Sequence, residues 1–427
     1  MSALARVLVA QGVAVSGSDL NESTRLRQLR ELGVRASVGH RAENVKGARR
    51  VVVSSAIAPQ NPEVRAARES GIPIVTRGVL LAEVMQGRFG IAVAGTHGKT
   101  TTTTMVAAVA EAGGLDPTVL VGGEMAGRGV NAKVGGGHYV VAESDESDGS
   151  FLELRPRIAV VTNIENDHLA HYGTLEALCD AFHRFTDLLP RNGLAVIGVD
   201  CPSSARLAAT ARAARTLTTG LAAGADLTAS ALTQRSGASH FTALLHGQPV
   251  LDVELAVPGL HNVSNALHAI AVGLELKIPA QRIARGLSDF RGVRRRFDVL
   301  FRSADLAVVD DYAHHPTAVA ATIAAARQYW PGRVVAAFQP HRFTRTAYLI
   351  DDFARALATA DDVVVAEIYA AGEQPVPGVS GEAIALQLRR LAPELSVAYV
   401  GGGQEVTAAL VARAQPGTLL LCMGAGD

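Results

Sequence analysis

The stretch IAVAGTHGKTTTTTMVAAVAEAGG, residues 91–114, passes from an apolar, partly β-branched run through two glycines into an Ala-rich helical pattern. A buried strand, a tight turn and a helix in that order open a parallel α/β unit. Gly95 and Gly98 let the backbone wrap closely around phosphate oxygens, and the start of the following helix adds a partial positive charge. Lys99 is placed to reach the β- and γ-phosphates of a nucleotide, and the Thr100 hydroxyl to join a Mg²⁺ shell. The spacing is not that of the ordinary phosphate loop, which has a further glycine five residues before Gly98; Val93 stands there instead. A solvated lysine in a strand-to-helix turn is the plain alternative. Lysine occurs only at Lys46, Lys99, Lys133 and Lys277 among 40 basic residues, so its presence in this loop is not a product of a lysine-rich chain.

The same alternation recurs on both sides of this stretch. Upstream, over about 1–88, helical patterns at 2–10, 23–32 and 62–69 alternate with strand-like runs GVAVSGSD, RRVVVSSA and IPIVTR. This region begins with a helix, so the first strand and glycine turn of a βαβ domain are expected to be missing ahead of Met1. The end at 424–427 likewise reads as clipped. The central region, about 89–293, continues with strands HYVVAE, RIAVVTN and LAVIGVD, then HFTALL and VLDVELAV split by HGQP as a hairpin, and a helix over 262–276. The third region, about 294–427, carries DLAVVDD, GRVVAAFQ, DDVVVAEI, SVAYVGG and TLLLCMG with helices between them, a doubly wound pattern.

The 427 residues suggest several domains, and 48% apolar content with 4% aromatic content gives aliphatic cores. These figures exclude disorder and disulfide miniproteins. Forty basic residues balance forty acidic ones, so nothing global points to nucleic acid or a membrane surface. No apolar run reaches the ~20 residues that span a bilayer. The N-terminal stretch has no basic region ahead of an apolar core and reads as a helix of the fold, not a signal peptide. Cys179, Cys201 and Cys422 lie far apart and read as buried, reduced thiols of a cytosolic protein.

Polar groups gather at strand ends, where open α/β sheets bind ligands. Glu143 ends HYVVAE and suits Mg²⁺, an ion that takes oxygen ligands. Asp145, Glu146 and Asp148 after it read as a solvated acidic loop. His168 follows RIAVVTN in an Asn/Glu/Asp-rich tip, where a ligand role and a structural role both stand. His261, Asn262 and Asn265 start a helix; an amide there is first an N-cap, and a contact to a nucleotide base stays open. Asp310, Asp311, Tyr312, His314 and His315 at one strand tip, with His341, Arg342 and Arg345 after the next, form a plausible carboxylate site on two adjacent tips. The run Arg294–Arg296 reads as a solvated hinge.

Taken together, GTHGKTTT (95–102), AESDESDGSFL (142–152), TNIENDHLAHYG (162–173), HNVSNAL (261–267), GVRRRFD (292–298), DDYAHHP (310–316) and QPHRFTRT (339–346) resemble the Mur ligase family, in the family's order and over nearly the whole chain. The resemblance implies Rossmann-like N- and C-terminal domains flanking a central ATPase domain, with boundaries at 1–88, 89–293 and 294–427. It implies an ATP-dependent amide-bond-forming ligase of peptidoglycan precursor synthesis in the cytoplasm, hence of cell-wall biogenesis, cell shape and division, acting as a monomer or homodimer. The DHLAHYG and QPHRFTRT forms favour a member that joins L-alanine to UDP-N-acetylmuramate. ATP would be held by Gly95, Thr96, His97, Gly98, Lys99, Thr100, Thr101, His261, Asn262, Asn265, Arg296, Asp311 and Tyr312. Mg²⁺ would be held by Thr100, Glu143 and His168. Lys99, Glu143, His168 and Arg342 would be catalytic. Ser18, Asp19, His40, Ser54 and Ser55, with Asn44, match the UDP-sugar site, and His314, His341, Arg342 and Arg345 would face the sugar-linked carboxylate and the incoming alanine. Several relatives use a carbamylated lysine near the metals; no lysine lies between Lys133 and Lys277 here. A relative with another acceptor, an inactive nucleotide-binding form and a simple ATPase or kinase are the competing readings.

Overall fold

The computed structural model describes residues 1–126, 129–167, 169–213, 215–235 and 237–426. They fall into two compact units: residues 1–228, 245–248 and 266–286 form the first, and residues 229–244, 249–265 and 287–427 the second.

The first unit opens with α1 (Ser2–Ala10), which buries Leu4 and Val7. Two βαβ segments follow: β1 (Ser16–Asp19), α2 (Thr24–Glu31) and β2 (Arg35–Val38), then β3 (Val51–Val53), α3 (Pro62–Glu69) and β4 (Ile74–Thr76). Each pair of strands is parallel, and the pairs form two separate two-stranded sheets. The helix starts obey local chemistry. Ser23 and Asn61 accept from the N–H groups of Leu26 and Glu63, and Pro62 occupies the first turn of α3.

After α4 (Arg77–Met85) come the strands of the unit's main sheet: β5 (Phe89–Ala94), β6 (Thr118–Leu120), β7 (Ala132–Lys133), β8 (Tyr139–Glu143), β9 (Ile158–Val161), β10 (Leu194–Gly198) and β11 (Thr216–Thr219). Their order is β11-β10-β9-β5-β8-β6-β7, parallel except for β7. Helices α5 (Lys99–Ala112), α6 (Leu169–Tyr172), α7 (Leu175–Asp187) and α8 (Pro202–Thr210) connect them. Because β5 lies between β8 and β9, the strand order reverses at β5 and three C-terminal tips open around the glycine loop, the usual ligand position in such sheets. Phe151 anchors the core beside them, with ring centroids 5.2 Å from Phe182 and 5.0 Å from Phe185. Burying each ring contributes about 1.5–3 kcal/mol.

Strands β12 (Leu227–Arg235), β13 (Ala238–Leu245) and β14 (Gln248–Leu255) are successive neighbours. His246 and Gly247 between β13 and β14 both have positive φ (48° and 77°), as the two-residue hairpin read from HGQP requires. Helices α9 (Leu260–Glu275) and α10 (Ala280–Ser288) follow. The second unit's main sheet has β15 (Asp298–Arg302), β16 (Leu306–Asp311), β17 (Arg333–Gln339), β18 (Asp362–Ala366), β19 (Ser396–Val400) and β20 (Thr418–Gly424), in the order β15-β16-β20-β17-β18-β19. β15 is antiparallel and the rest are parallel. Connecting helices are α11 (Pro316–Tyr329), α12 (Phe343–Leu357), α13 (Gly381–Leu391) and α14 (Gly403–Val411). This order corrects one expectation: the tips of β16 and β17 are not adjacent, because the last strand, β20, inserts between them.

Two buried anchors hold this unit. Trp330, at the end of α11 and 5% exposed, donates from Nε1 to Gly417 O (2.8 Å). Asp362 at the start of β18 has a 3% exposed side chain and accepts from Arg333 (2.6 Å) and Arg413 (3.0 Å). Replacing Asp362 by alanine strips two arginines of their shared carboxylate. A loss of about 3 kcal/mol is expected. Urea unfolding followed by circular dichroism measures it, and a midpoint equal to that of the unaltered chain would contradict it.

Candidate active site

The glycine loop is clasped to the tip of β9. Thr96 N–H donates to Asn163 O (3.0 Å) and His97 N–H to Asn163 Oδ1 (2.9 Å), while Asn163 Nδ2 (3.1 Å) and the Thr162 hydroxyl (2.6 Å) both donate to His97 O. Glu165 N–H donates to Thr96 Oγ1 (2.9 Å), and the His97 ring lies 3.4 Å from the Glu165 carboxylate. Gly98 precedes α5 at φ 80°, a left-handed conformation that glycine takes at little cost. Thr100 and Thr101 are buried in the first turn, whose N–H groups lack intrahelical partners by geometry.

Lys99 Nζ donates to Gly95 O (2.7 Å), Thr96 O (3.3 Å) and Glu146 Oε1 (2.8 Å). Burial pulls the ammonium pKa down, but the charges of Glu146, Asp145 and Glu143 outweigh it and the pKa is raised, so Lys99 stays charged. This corrects the reading of Glu146 as solvated: its side chain is fully buried, and Asp145 and Asp148 are half-buried. Tyr172 holds the same turn by donating from its hydroxyl to Glu146 O (2.5 Å). At the tip of β8, Glu143 accepts from the Thr100 hydroxyl (3.0 Å) and from Gly122 N–H (2.6 Å). Two oxygen groups so close, in a pocket of carboxylates, fit a hard divalent cation such as Mg²⁺. His168, the third expected ligand, lies outside the described residues.

Near the N-terminus Ser18, His40 and Asn44 converge on a carboxylate that the sequence reading passed over. Glu63 accepts from the Ser18 hydroxyl (2.6 and 2.8 Å), Asn44 Nδ2 (2.6 Å) and Arg41 N–H (3.3 Å), with His40 Nδ1 at 3.6 Å. Asp19 is exposed and accepts from Asn21 N–H (3.3 Å). Ser54 and Ser55 lie in the turn after β3 and do not join this cluster.

In the second unit, the expected residues divide. Asp311 is turned inwards: Oδ2 accepts from Phe297 N–H (2.6 Å) and Oδ1 from Ala313 N–H (2.7 Å). Burial raises its pKa against Arg296 and those two bonds. Its carboxylate ties backbone together at the tip of β16. Asn262 is within the first turn of α9 and donates to Pro258 O (2.7 Å), and Asn265 donates to Asn262 Oδ1 (3.2 Å), so neither is an N-cap. His261 beside them is exposed. Arg295 and Arg296 lie over the Tyr312 ring (5.2 and 5.0 Å), and Arg295 also donates to Gly424 O and Gly426 O. Only Arg294 of that run is exposed, as the hinge reading requires of all three. Tyr312, His314, His341 and a residue not anticipated, Tyr369, form a chain of ring contacts 5.1, 5.7 and 5.7 Å apart. Arg345 donates to His341 Nδ1 (3.1 Å), and the exposed Arg342 lies next to it in sequence. The three thiols are free and of intermediate exposure rather than buried; burial and then Asp310 push the Cys422 thiol up to about 11.

Family comparisons bear on the whole chain. Models for "Mur ligase family, catalytic domain", "Mur ligase middle domain" and "Mur ligase, glutamate ligase domain" match residues 1–89, 93–273 and 295–426. The chain belongs to the Mur ligase family. This Mur ligase is 47% identical over 430 residues to a UDP-N-acetylmuramate--L-alanine ligase of Sorangium cellulosum, covering 100% of this chain and 91% of the relative. It is 47% identical to the same-named protein of Burkholderia cenocepacia, covering 100% and 93%. Its fold is similar to that of the UDP-N-acetylmuramate-alanine ligase of Thermotoga maritima, with TM-score 0.84, 32% identity and coverage of 100% and 93%. The expectation that both ends are clipped is not borne out by these comparisons.

Proposed function

We propose that this Mur ligase joins L-alanine to the carboxylate of UDP-N-acetylmuramate and converts ATP to ADP and phosphate. The observation that carries the reading is full-length kinship to ligases named for that reaction, together with a charged lysine held in a glycine loop at a sheet's switch point. A carboxylate is a poor acceptor for an amine until one oxygen is phosphorylated. The muramoyl carboxylate attacks the γ-phosphorus in line, ADP leaves, and the alanine amine then displaces phosphate from the acyl carbon through a tetrahedral adduct. Such a reaction needs positioning and charge neutralisation more than a covalent nucleophile.

Each part has a candidate on the chain. The first-turn N–H groups of α5 and the Lys99 ammonium neutralise the transferred phosphoryl group. Thr100 and Glu143 would hold Mg²⁺, which when bound supplies charge neutralisation on the β- and γ-phosphates. Ser18, His40 and Asn44 serve the UDP-sugar, and Arg342, Arg345, His314 and His341 the carboxylate substrates. The domain limits proposed are 1–88, 89–293 and 294–427. The compartment proposed for the reaction is the cytoplasm.

A murein peptide ligase of Psychrobacter arcticus, at 26% identity and TM-score 0.72, is less similar than the alanine-adding relatives, which favours alanine as the acceptor. ADP release measured with UDP-N-acetylmuramate is expected to depend on added L-alanine and not on a tripeptide. Stimulation by the tripeptide alone would reassign the acceptor.

A further inference from the structure

Arg342 precedes α12 with φ 72° and ψ 137°, a backbone conformation that residues with a β-carbon adopt only when their surroundings enforce it. The enforcing segment is residues 369–373, just after β18. Tyr369 N–H donates to Pro340 O (2.8 Å), and Arg342 N–H donates to Tyr369 O (2.9 Å), so main-chain bonds bracket His341. The Tyr369 ring stacks on the His341 ring, 11° from parallel. The chain then turns through Ala371 (φ 49°) and Gly372 (φ 85°), which brings Glu373 back over the start of α12. There Glu373 accepts from Thr344 N–H (3.0 Å) and from the Thr344 hydroxyl (2.7 Å). Arg342, at the N-cap position, makes no side-chain cap bond, so Glu373 brings the negative charge that a helix N-terminus favours. Burial pulls the Glu373 carboxyl pKa up, but the bonds from Thr344 and the charge on Arg342 bring it below the usual range, so it is ionised.

We propose that Tyr369 and Glu373 are positioning residues of the ligase reaction: the segment they anchor fixes the His341–Arg342 backbone in the geometry that clamps a substrate carboxylate. This rests on the role proposed above for Arg342. A guanidinium binds a carboxylate through two bonds only when its fork is correctly turned. Release of the segment lets the Arg342 backbone relax to negative φ and swings the fork away. The loss falls on the affinity for the clamped acid and leaves nucleotide binding alone.

The test uses the full chain with Glu373→Gln, Glu373→Asp and Tyr369→Leu; the last keeps the main-chain bonds and removes only the ring stacking. KM is measured for UDP-N-acetylmuramate and for L-alanine in turn, and a fluorescent ATP analogue reports nucleotide binding. Glu373→Gln is expected to raise one of the two KM values about tenfold, the loss of one well-made contact. The turnover number changes by less than about threefold, Glu373→Asp recovers part of the loss, and analogue binding is unchanged. Should Glu373→Gln not fold, Tyr369→Leu carries the same expectation at a smaller size. Both KM values within about twofold of the unaltered chain would overturn the inference alone. No alanine-dependent ADP release from the unaltered chain would overturn the proposed function and this inference with it.

Discussion

Lys99→Met loses turnover and stability together, and a second substitution separates the two losses. The ammonium is the partner of Glu146, whose side chain is fully buried. Removing the lysine leaves a buried carboxylate without its opposite charge, at a cost of about 3–5 kcal/mol. The catalytic loss is independent of that. A cation that meets charge developing on the transferred phosphoryl group contributes about 3 kcal/mol, or 10²–10³ in rate. In Lys99→Met/Glu146→Gln the buried charge is gone as well, so the unfolding midpoint recovers most of the way while ADP release stays down by at least about 10². Near-normal turnover in the double variant would remove Lys99 from the mechanism. Unrecovered stability would mean that Glu146 is held mainly by other groups.

Gly95→Ala weakens nucleotide binding by displacing the glycine loop. A β-carbon at Gly95 would run into the Thr162 hydroxyl and approach Asn163 O and Thr162 N to 3.0 Å, at φ 132°, where side chains are strained in any case. The loop can make room only by lifting off β9. That breaks the clasp formed by Thr96 N–H, His97 N–H and the Asn163 amide. The phosphate-facing N–H groups then lose their fixed directions, and affinity for an ATP analogue is expected to fall by at least about 100-fold, near 3 kcal/mol. Titration by fluorescence or calorimetry measures it. Affinity within threefold of the unaltered chain would show that the loop does not need its bond to β9.

Much of this was legible because α/β sheets write their plan into periodicity. Apolar runs at 91–94, 139–142, 158–161 and 334–338 became central strands, and the glycine loop fell where strand gives way to helix. What escaped has physical reasons. β2 (RASV) is only four residues long, and β15 (DVLFR) is apolar at 299–301 yet mostly exposed, so neither shows the alternation of a half-buried strand. The insertion of β20 between β16 and β17 is a matter of long-range pairing, invisible to local pattern. Glu146 was misjudged because a run of acidic residues looks solvated until the lysine that buries one of them is placed 47 positions away. The two backbone N–H groups that the Asp311 carboxylate accepts from are a matter of tertiary geometry that its strand-tip position does not announce. Glu63, Tyr369 and Glu373 carry no motif; they contact residues that do.

The indole of Trp330 is the only one in the chain, enclosed at the end of α11 and bonded to Gly417. Intrinsic emission therefore reports from a single address, in the second unit, and is blind to the glycine loop. Far-ultraviolet dichroism sums over both units. Where the two signals part during denaturation, the two units are melting at different points, so one ordinary spectrometer can time them separately without any label.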